Sequence, residues 1–181
     1  MSVTFAPIDI RGADRGAFTR FLTRDRFPFH AVAEPSEPEV AAQIDAGSFE
    51  RDRSLFWVDD EEHGRIGVVI IENPGSAAPS FDLRLAGRYR GRGLGAPIVR
   101  ALTAFVFETY PDVVRLEGQT REDNLAMRTT FLRSGFVKEA HRREGWPVEG
   151  GEALAAVAYA ILRRDWVSGT TTTFVWEDLQ P

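Results

Sequence analysis

The chain has no cysteine among its 181 residues. Disulfides, thiolate nucleophiles and thiolate metal sites are therefore excluded, and any group transfer must run without a cysteinyl intermediate. Long apolar runs are missing as well, so no segment is expected to span a membrane. Met1-Ser2-Val3-Thr4 opens with strand-like residues instead of a basic-then-apolar leader, and no signal peptide is expected. There is no excess of basic charge: the net charge of −5 argues against general nucleic-acid binding and favours cationic partners. Internal repeats are absent, and the only low-complexity tract is Thr170–Thr173. What remains is 43% apolar and 27% charged, ordinary for one globular domain of this length. These features describe a cytoplasmic enzyme or binding protein with no membrane or nucleic-acid partner and no metal.

Glycine and arginine converge on one stretch, Tyr89-Arg90-Gly91-Arg92-Gly93-Leu94-Gly95. Before it, Phe81-Asp82-Leu83-Arg84-Leu85 alternates apolar and charged residues, the period of a half-buried strand. After it, Leu94, Ile98, Leu102, Phe105 and Val106 recur at helical spacing as far as Tyr110. The stretch is thus a strand-to-helix turn. A helix start leaves N–H groups unpartnered at the positive end of the peptide dipoles, and glycines let a bulky anion approach them. Arg88, Arg90 and Arg92 add charge suited to phosphate, and Pro97 in the first helical turn breaks no helical bond. The turn reads either as a phosphate site or as a solvated basic loop. No Gly-Lys-Ser/Thr follows, which excludes a Walker loop, and the mid-chain position disfavours a dinucleotide fingerprint.

In chain order, Val3–Ile8 reads as a strand, and Asp14 as the cap of a helix with Phe18, Phe21 and Leu22 on one face. Arg26-Phe27-Pro28-Phe29-His30 is an aromatic loop, and Ser36-Glu37-Pro38-Glu39 is a capping box that opens a second helix running to Gly47. Leu55–Val58 and Ile66–Ile71 form a hairpin around Asp59–Gly64. Val113–Glu117 reads as a strand, Asn124–Ser134 as a helix ended by Gly135, and Phe136–His141 and Ala153–Leu162 as closing strands. The β-prone Thr170–Trp176 is expected to cover a sheet edge, or the same edge in a second copy as a homodimer contact.

This order of elements resembles the GNAT superfamily of acyl-CoA-dependent N-acetyltransferases, over Val3 to Trp166. Two motifs carry the resemblance: Arg90-Gly91-Arg92-Gly93-Leu94-Gly95, like the family's pyrophosphate loop, and Asn124-Leu125-Ala126 followed by Phe131-Leu132-Arg133-Ser134-Gly135-Phe136. Gly145-Trp146 followed by Ala156–Trp166 looks like the Rim-type branch, which acetylates ribosomal-protein N-termini, polyamines and some antibiotics. The resemblance implies a mixed α/β fold, with a central twisted sheet of about seven strands flanked by about four helices. It divides the chain into an acetyltransferase domain over 1–166 and an extension over 167–181. It also implies acetyl-CoA as acyl donor and a small-molecule or peptide amine as acceptor. The backbones of Gly91, Gly93 and Gly95 would cradle the pyrophosphate, with Arg90, Arg92 and Leu94 beside them. Leu83 and Leu85 would pair with pantetheine as an added strand. Asn124 would bond pantetheine or cap its own helix.

Many relatives place a tyrosine at the position of Phe131 to protonate the leaving thiolate, and the Rim-type branch often has serine at the position of Met127. Neither acid is present, so Phe131→Tyr is expected to speed transfer if protonation is limiting. A base must free the attacking amine. Glu117 is one candidate, read as a strand-end glutamate that acts through water or pairs with Arg115 or Arg121. His30 in the aromatic loop is the second, read otherwise as a surface residue. His141 and Glu72 rank below them, and His63 sits in an exposed turn. Phe27, Phe29 and Trp146 would wall an acceptor pocket or fill the core. Three functions fit: an N-acetyltransferase working by direct attack in a ternary complex, an acyl-CoA-binding sensor with weak or lost catalysis, or an interaction protein that docks through its C-terminal strand.

Overall fold

A computed structural model describes residues 2–30, 32–148 and 150–176. Seven strands, β1 (Val3–Pro7), β2 (Arg53–Asp60), β3 (Gly64–Glu72), β4 (Ser80–Leu85), β5 (Arg115–Arg121), β6 (Val137–Trp146) and β7 (Leu154–Leu162), form one sheet in the order β1-β2-β3-β4-β5-β7-β6. All neighbours are antiparallel except β4 and β5, which run parallel. Helices α1 (Arg15–Arg24) and α2 (Glu37–Asp45) cover one face. Helices α3 (Gly95–Thr109) and α4 (Leu125–Arg133) cover the other, and α5 (Arg163–Ser168) follows β7. The mixed α/β sheet of seven strands is as expected, and among the described residues five α-helices accompany it where about four were expected. Arg163 opens α5 and explains it: its guanidinium donates to the carbonyls of Phe107, Tyr110 and Val113, satisfying acceptors at the end of α3.

The periodicities build both cores. Ile98, Val99, Leu102 and Val106 turn one stripe of α3 onto the sheet and are fully buried. Each such side chain contributes about 1.5–3 kcal/mol. On the opposite face Phe18 and Leu22 of α1 and Val40 and Ile44 of α2 pack on Trp57, Val68 and Ile70. The capping box forms as expected, with Ser36 and Glu39 exchanging bonds across the first turn of α2. Asp14 does not cap α1. Its carboxylate instead accepts from Trp57 Nε1 at 3.1 Å and from Asp9 N at 3.0 Å, fastening the α1 entry to β2.

Two further expectations are corrected. Strand β5 starts at Arg115 and runs on to Arg121, so Glu117 lies near its beginning instead of its end. The polar Gly118-Gln119-Thr120 hid this extension, and Gly118 is small because the Phe131 ring fills its place: a Cβ there would sit 2.5 Å from that ring. Thr170–Trp176 forms no strand. The segment is anchored where Thr172 donates from N and Oγ1 to Asp165, and Trp176 lies beside Lys138 of edge strand β6. Residues 177–181 of the expected extension lie outside the described residues.

One feature of the sheet positions everything that follows. Val114 N donates to Ala77 O at 2.8 Å and Glu117 N to Pro79 O at 2.9 Å, so β4 and β5 are joined at their starts. Among the described residues Ser80↔Glu117 is their only register pair. Beyond it the two strands splay apart and leave a wedge open in the middle of the sheet.

Candidate active site

Into this wedge opens a groove with a cavity volume of about 550 Å³. Its walls are the end of β4 (Leu83–Leu85), the glycine turn, the first turn of α4 and the loop Phe27–His30. Strand β4 supplies a backbone edge. Ala86 N donates to Ile66 O at 3.0 Å, and Arg84 and Asp82 stand opposite Val68 and Ile70. Antiparallel pairing alternates, so the N–H and C=O groups of Leu83 and Leu85 point the other way, into the groove. The glycine turn supplies the second polar element. Gly91 and Gly93 have φ of 71° and 79°, a backbone that side chains strain to adopt. Helix α3 then starts at Gly95 with no side chain capping it, so its first N–H groups stay available at the positive end of a 15-residue helix.

The expected site residues divide. Leu83, Leu85, Arg90, Gly91, Gly93, Leu94, Gly95, Asn124 and His30 all line the groove, as do Phe27, Phe29 and Met127. Arg92 is exposed and Trp146 ends β6, and neither lines it. Arg90 lines the groove, but two of its five N–H donors are spent on protein: Nε on Leu85 O at 2.7 Å and Nη1 on Arg26 O at 2.6 Å. Loss of water pulls its guanidinium below its ordinary range, with Asp25 opposing. This arginine holds the aromatic loop to the end of β4 instead of offering a fork to an anion. Asn124 caps α4, accepting from Met127 N at 3.2 Å while its amide donates to Thr120 Oγ1 at 2.9 Å.

Phe131 and Glu117 stand elsewhere. The Phe131 ring is 1% exposed, stacked on Tyr159 at 4.8 Å and flanked by Phe81 and Phe136. Its far edge meets Gly118, so a hydroxyl added there would enter the sheet. The expectation that Phe131→Tyr restores an acid gives way to packing. Glu117 sits where β4 and β5 are still paired, held by Arg115 at 2.8 Å, and does not line the groove. Glu72 is likewise committed, to Arg53 at 2.9 Å and Ser80 at 3.1 Å.

His30 has a partner that its neighbours in the chain do not reveal. Its Nε2 lies 2.7 Å from Asp82 Oδ1, across 52 residues of chain. Asp82 Oδ2 accepts from Arg84 Nε at 3.1 Å and Nη2 at 2.8 Å. Burial pushes the Asp82 carboxyl up, but the His30 bond and the Arg84 charge outweigh it and hold the group well below the usual carboxylate range. Arg121 was missed as well. It donates to Pro28 O at 3.3 Å, lies 4.9 Å over the Phe29 ring and is braced bidentately by Asp123. Arg90 from the β4 side and Arg121 from the β5 side therefore pin the aromatic loop over the wedge. The alternating charges of Asp82 and Arg84 were the available signal, since they mark one face of β4; their partner on another loop was not readable. Among the described residues no group of three His, Asp or Glu side chains is placed to hold a metal ion.

The sequence model for the acetyltransferase (GNAT) domain matches residues 4–137. Among solved structures, the fold is similar to spermidine N-acetyltransferase from Vibrio cholerae in complex with CoA and spermine. The TM-score is 0.75 at 18% identity, covering 91% of this chain and 98% of that one. It is also similar to a chimera of the Vibrio cholerae enzyme SpeG and hSSAT, with a TM-score of 0.73 at 17% identity, covering 92% and 99%. At these identities the structural likeness is one of fold. The family match is broader evidence: it runs from β1 to the start of β6 and takes in the splayed strands, the glycine turn and α4, and the chain belongs to the acetyltransferase (GNAT) domain family.

Proposed function

We propose that this chain transfers the acetyl group of acetyl-CoA to a primary amine by direct attack in a ternary complex. The observation that carries the reading is the meeting, in one groove, of a β4 backbone edge that β5 leaves unpaired and an uncapped α3 start. Pantetheine amides extend along the Leu83 and Leu85 backbone like an added strand, and the pyrophosphate reaches the N–H groups around Gly93 and Gly95. An N–H on the same edge stands where it would steady the thioester oxygen as charge develops on it. The turn acts chiefly through backbone and helix dipole, because the Arg90 Nε and Nη1 are turned to the Leu85 and Arg26 carbonyls.

The acceptor is an amine of the kind the Rim-type resemblance and the polyamine-acetylating neighbours share, either a peptide N-terminus or a small polyamine. With no side-chain acid at positions 127 and 131, the thiolate departs on its own stability and takes the proton that the acylated nitrogen gives up. That same feature supports the second reading, a protein that binds acyl-CoA without turning it over. Self-association belongs to the proposal too: Phe174, Val175 and Trp176 stand exposed beside β6, where a second copy would cover them. A solution mass twice that of the chain supports that contact, and a single-chain mass opposes it.

Calorimetry with acetyl-CoA, followed by thiol release with spermidine, spermine, tryptamine and a short peptide with a free N-terminus, tests the function. Binding together with turnover on at least one amine is expected. Binding without turnover selects the sensor, and no binding removes the reading.

A further inference from the structure

The described groove contains one side-chain array whose geometry suits proton transfer. An ionised carboxylate only accepts, so the hydrogen between His30 and Asp82 belongs to Nε2. Neutral His30 then carries a lone pair on Nδ1. Among the described residues Nδ1 has no hydrogen-bond partner and is shielded from bulk water. A buried polar atom left alone is costly, and one held in the wall of a groove is a candidate to meet a ligand there. The ring is fixed by Asp82, by the Phe27 ring edge-on at 5.7 Å, and by the loop backbone that Arg90 and Arg121 tie down.

We propose that His30 is the general base of the transfer and that Asp82 is its positioning residue. This rests on the acetyltransferase reading and names the proton acceptor within it. His30 Nδ1 takes one proton from the acceptor ammonium, leaving a neutral amine. The nitrogen lone pair forms a C–N bond to the thioester carbon, and the C–S bond breaks with its electron pair on sulfur. The second surplus proton on nitrogen goes to that thiolate, and His30 returns its own to water. Net products are the acetamide, CoA thiol and one released proton. Asp82, braced by Arg84, fixes the tautomer that leaves Nδ1 free and stabilises the imidazolium formed. Glu117 takes no part, because it is held by Arg115 where the strands are closed.

The test uses the full chain and the fastest of the four amines above. His30→Gln is expected to lower kcat on the order of 10²-fold while acetyl-CoA affinity by calorimetry stays within twofold. Asp82→Asn turns an N–H toward the ring, favours the other tautomer and should lower kcat at least tenfold, with partial recovery in Asp82→Glu. Glu117→Gln should change kcat by less than twofold. The charged groups around the loop are Asp25 and Arg26 at its start, Asp82 and Arg84 of β4, Arg90 of the glycine turn, and Arg121 with Asp123 at the end of β5. The wild-type rate should rise with pH through one ionisation that His30→Gln abolishes. A wild-type pH–rate profile without such a step, measured on unmutated protein, overturns the base whether or not the variants fold. So does a folded His30→Gln enzyme with full kcat. Acetylation that survives His30→Gln defeats the base alone, whereas a wild type that neither binds acetyl-CoA nor acetylates any amine defeats both proposals.

Discussion

His30 meets Asp82 at 2.7 Å, and His63 meets Asp60 at 2.6 Å. The two pairs have the same chemistry and nearly the same length, but they are wired differently. His63 reaches Asp60 from three residues away, through Nδ1, inside the turn that joins β2 and β3. Asp60 is 4% exposed and also collects the N–H groups of Glu62 and His63, and Tyr89 OH donates to His63 O. The Asp60 bonds close the hairpin, and the Tyr89 bond ties it to the turn before α3. His30 reaches Asp82 through Nε2 from a distant loop that lines the groove, and among the described residues its Nδ1 is buried there without a partner. Which ring nitrogen is spent, and on what, separates a fastening from a proton acceptor.

The contrast is broken most sharply by exchanging the deletions. His30→Gln costs kcat on the order of 10²-fold, whereas His63→Gln should leave kcat within twofold under the same thiol-release assay. The opposite order would reverse the assignment. Asp60→Ala tests the fastening: it strands three donors in a tight turn and should cost roughly 3 kcal/mol of stability in denaturant melts, with kcat unchanged. Full stability in that variant would deny the turn its structural role.

A proton path through α4 would dissolve the comparison, and Phe131→Tyr examines it. The added hydroxyl meets Gly118 and the aromatic cluster, so a loss of about 1–2 kcal/mol in stability and no gain in kcat are expected. Faster turnover would return the acid to position 131.

The smallest expected effect concerns acid. Hydrogen bonding from His63 lowers the Asp60 carboxyl, against its burial, and the His30 bond with the Arg84 charge lowers Asp82. A carboxyl whose folded value is depressed contributes stability that is present above its unfolded value of about 4 and is lost as pH falls through the folded one. Asp60→Asn and Asp82→Asn should therefore each flatten the decline of melting temperature below about pH 4. An unchanged acid limb in both would count against these pairings.

Much of this was legible in the sequence where physics is local. The capping box at Ser36, the β2–β3 hairpin, the period of α3 and the glycine turn all rest on neighbours within a few residues, and all are present. What failed depended on distant partners. Arg90 reads as a phosphate ligand without the Arg26 carbonyl beside it, and position 131 reads as open to a tyrosine acid without Gly118, which receives the Phe131 ring. Glu117 misled because β5 continues through polar residues that carry no strand signature. The Asp82–His30 pair spans 52 positions, and nothing in either local sequence points to the other.

The most direct measurement is the long-range ¹H–¹⁵N spectrum of the histidine rings at a pH where they are neutral, with and without acetyl-CoA. The account predicts His30 as the Nε2–H tautomer and His63 as the Nδ1–H tautomer, with only the His30 Nδ1 resonance moving when acetyl-CoA fills the groove. A His30 ring protonated on Nδ1, or one as indifferent to acetyl-CoA as His63, would contradict it.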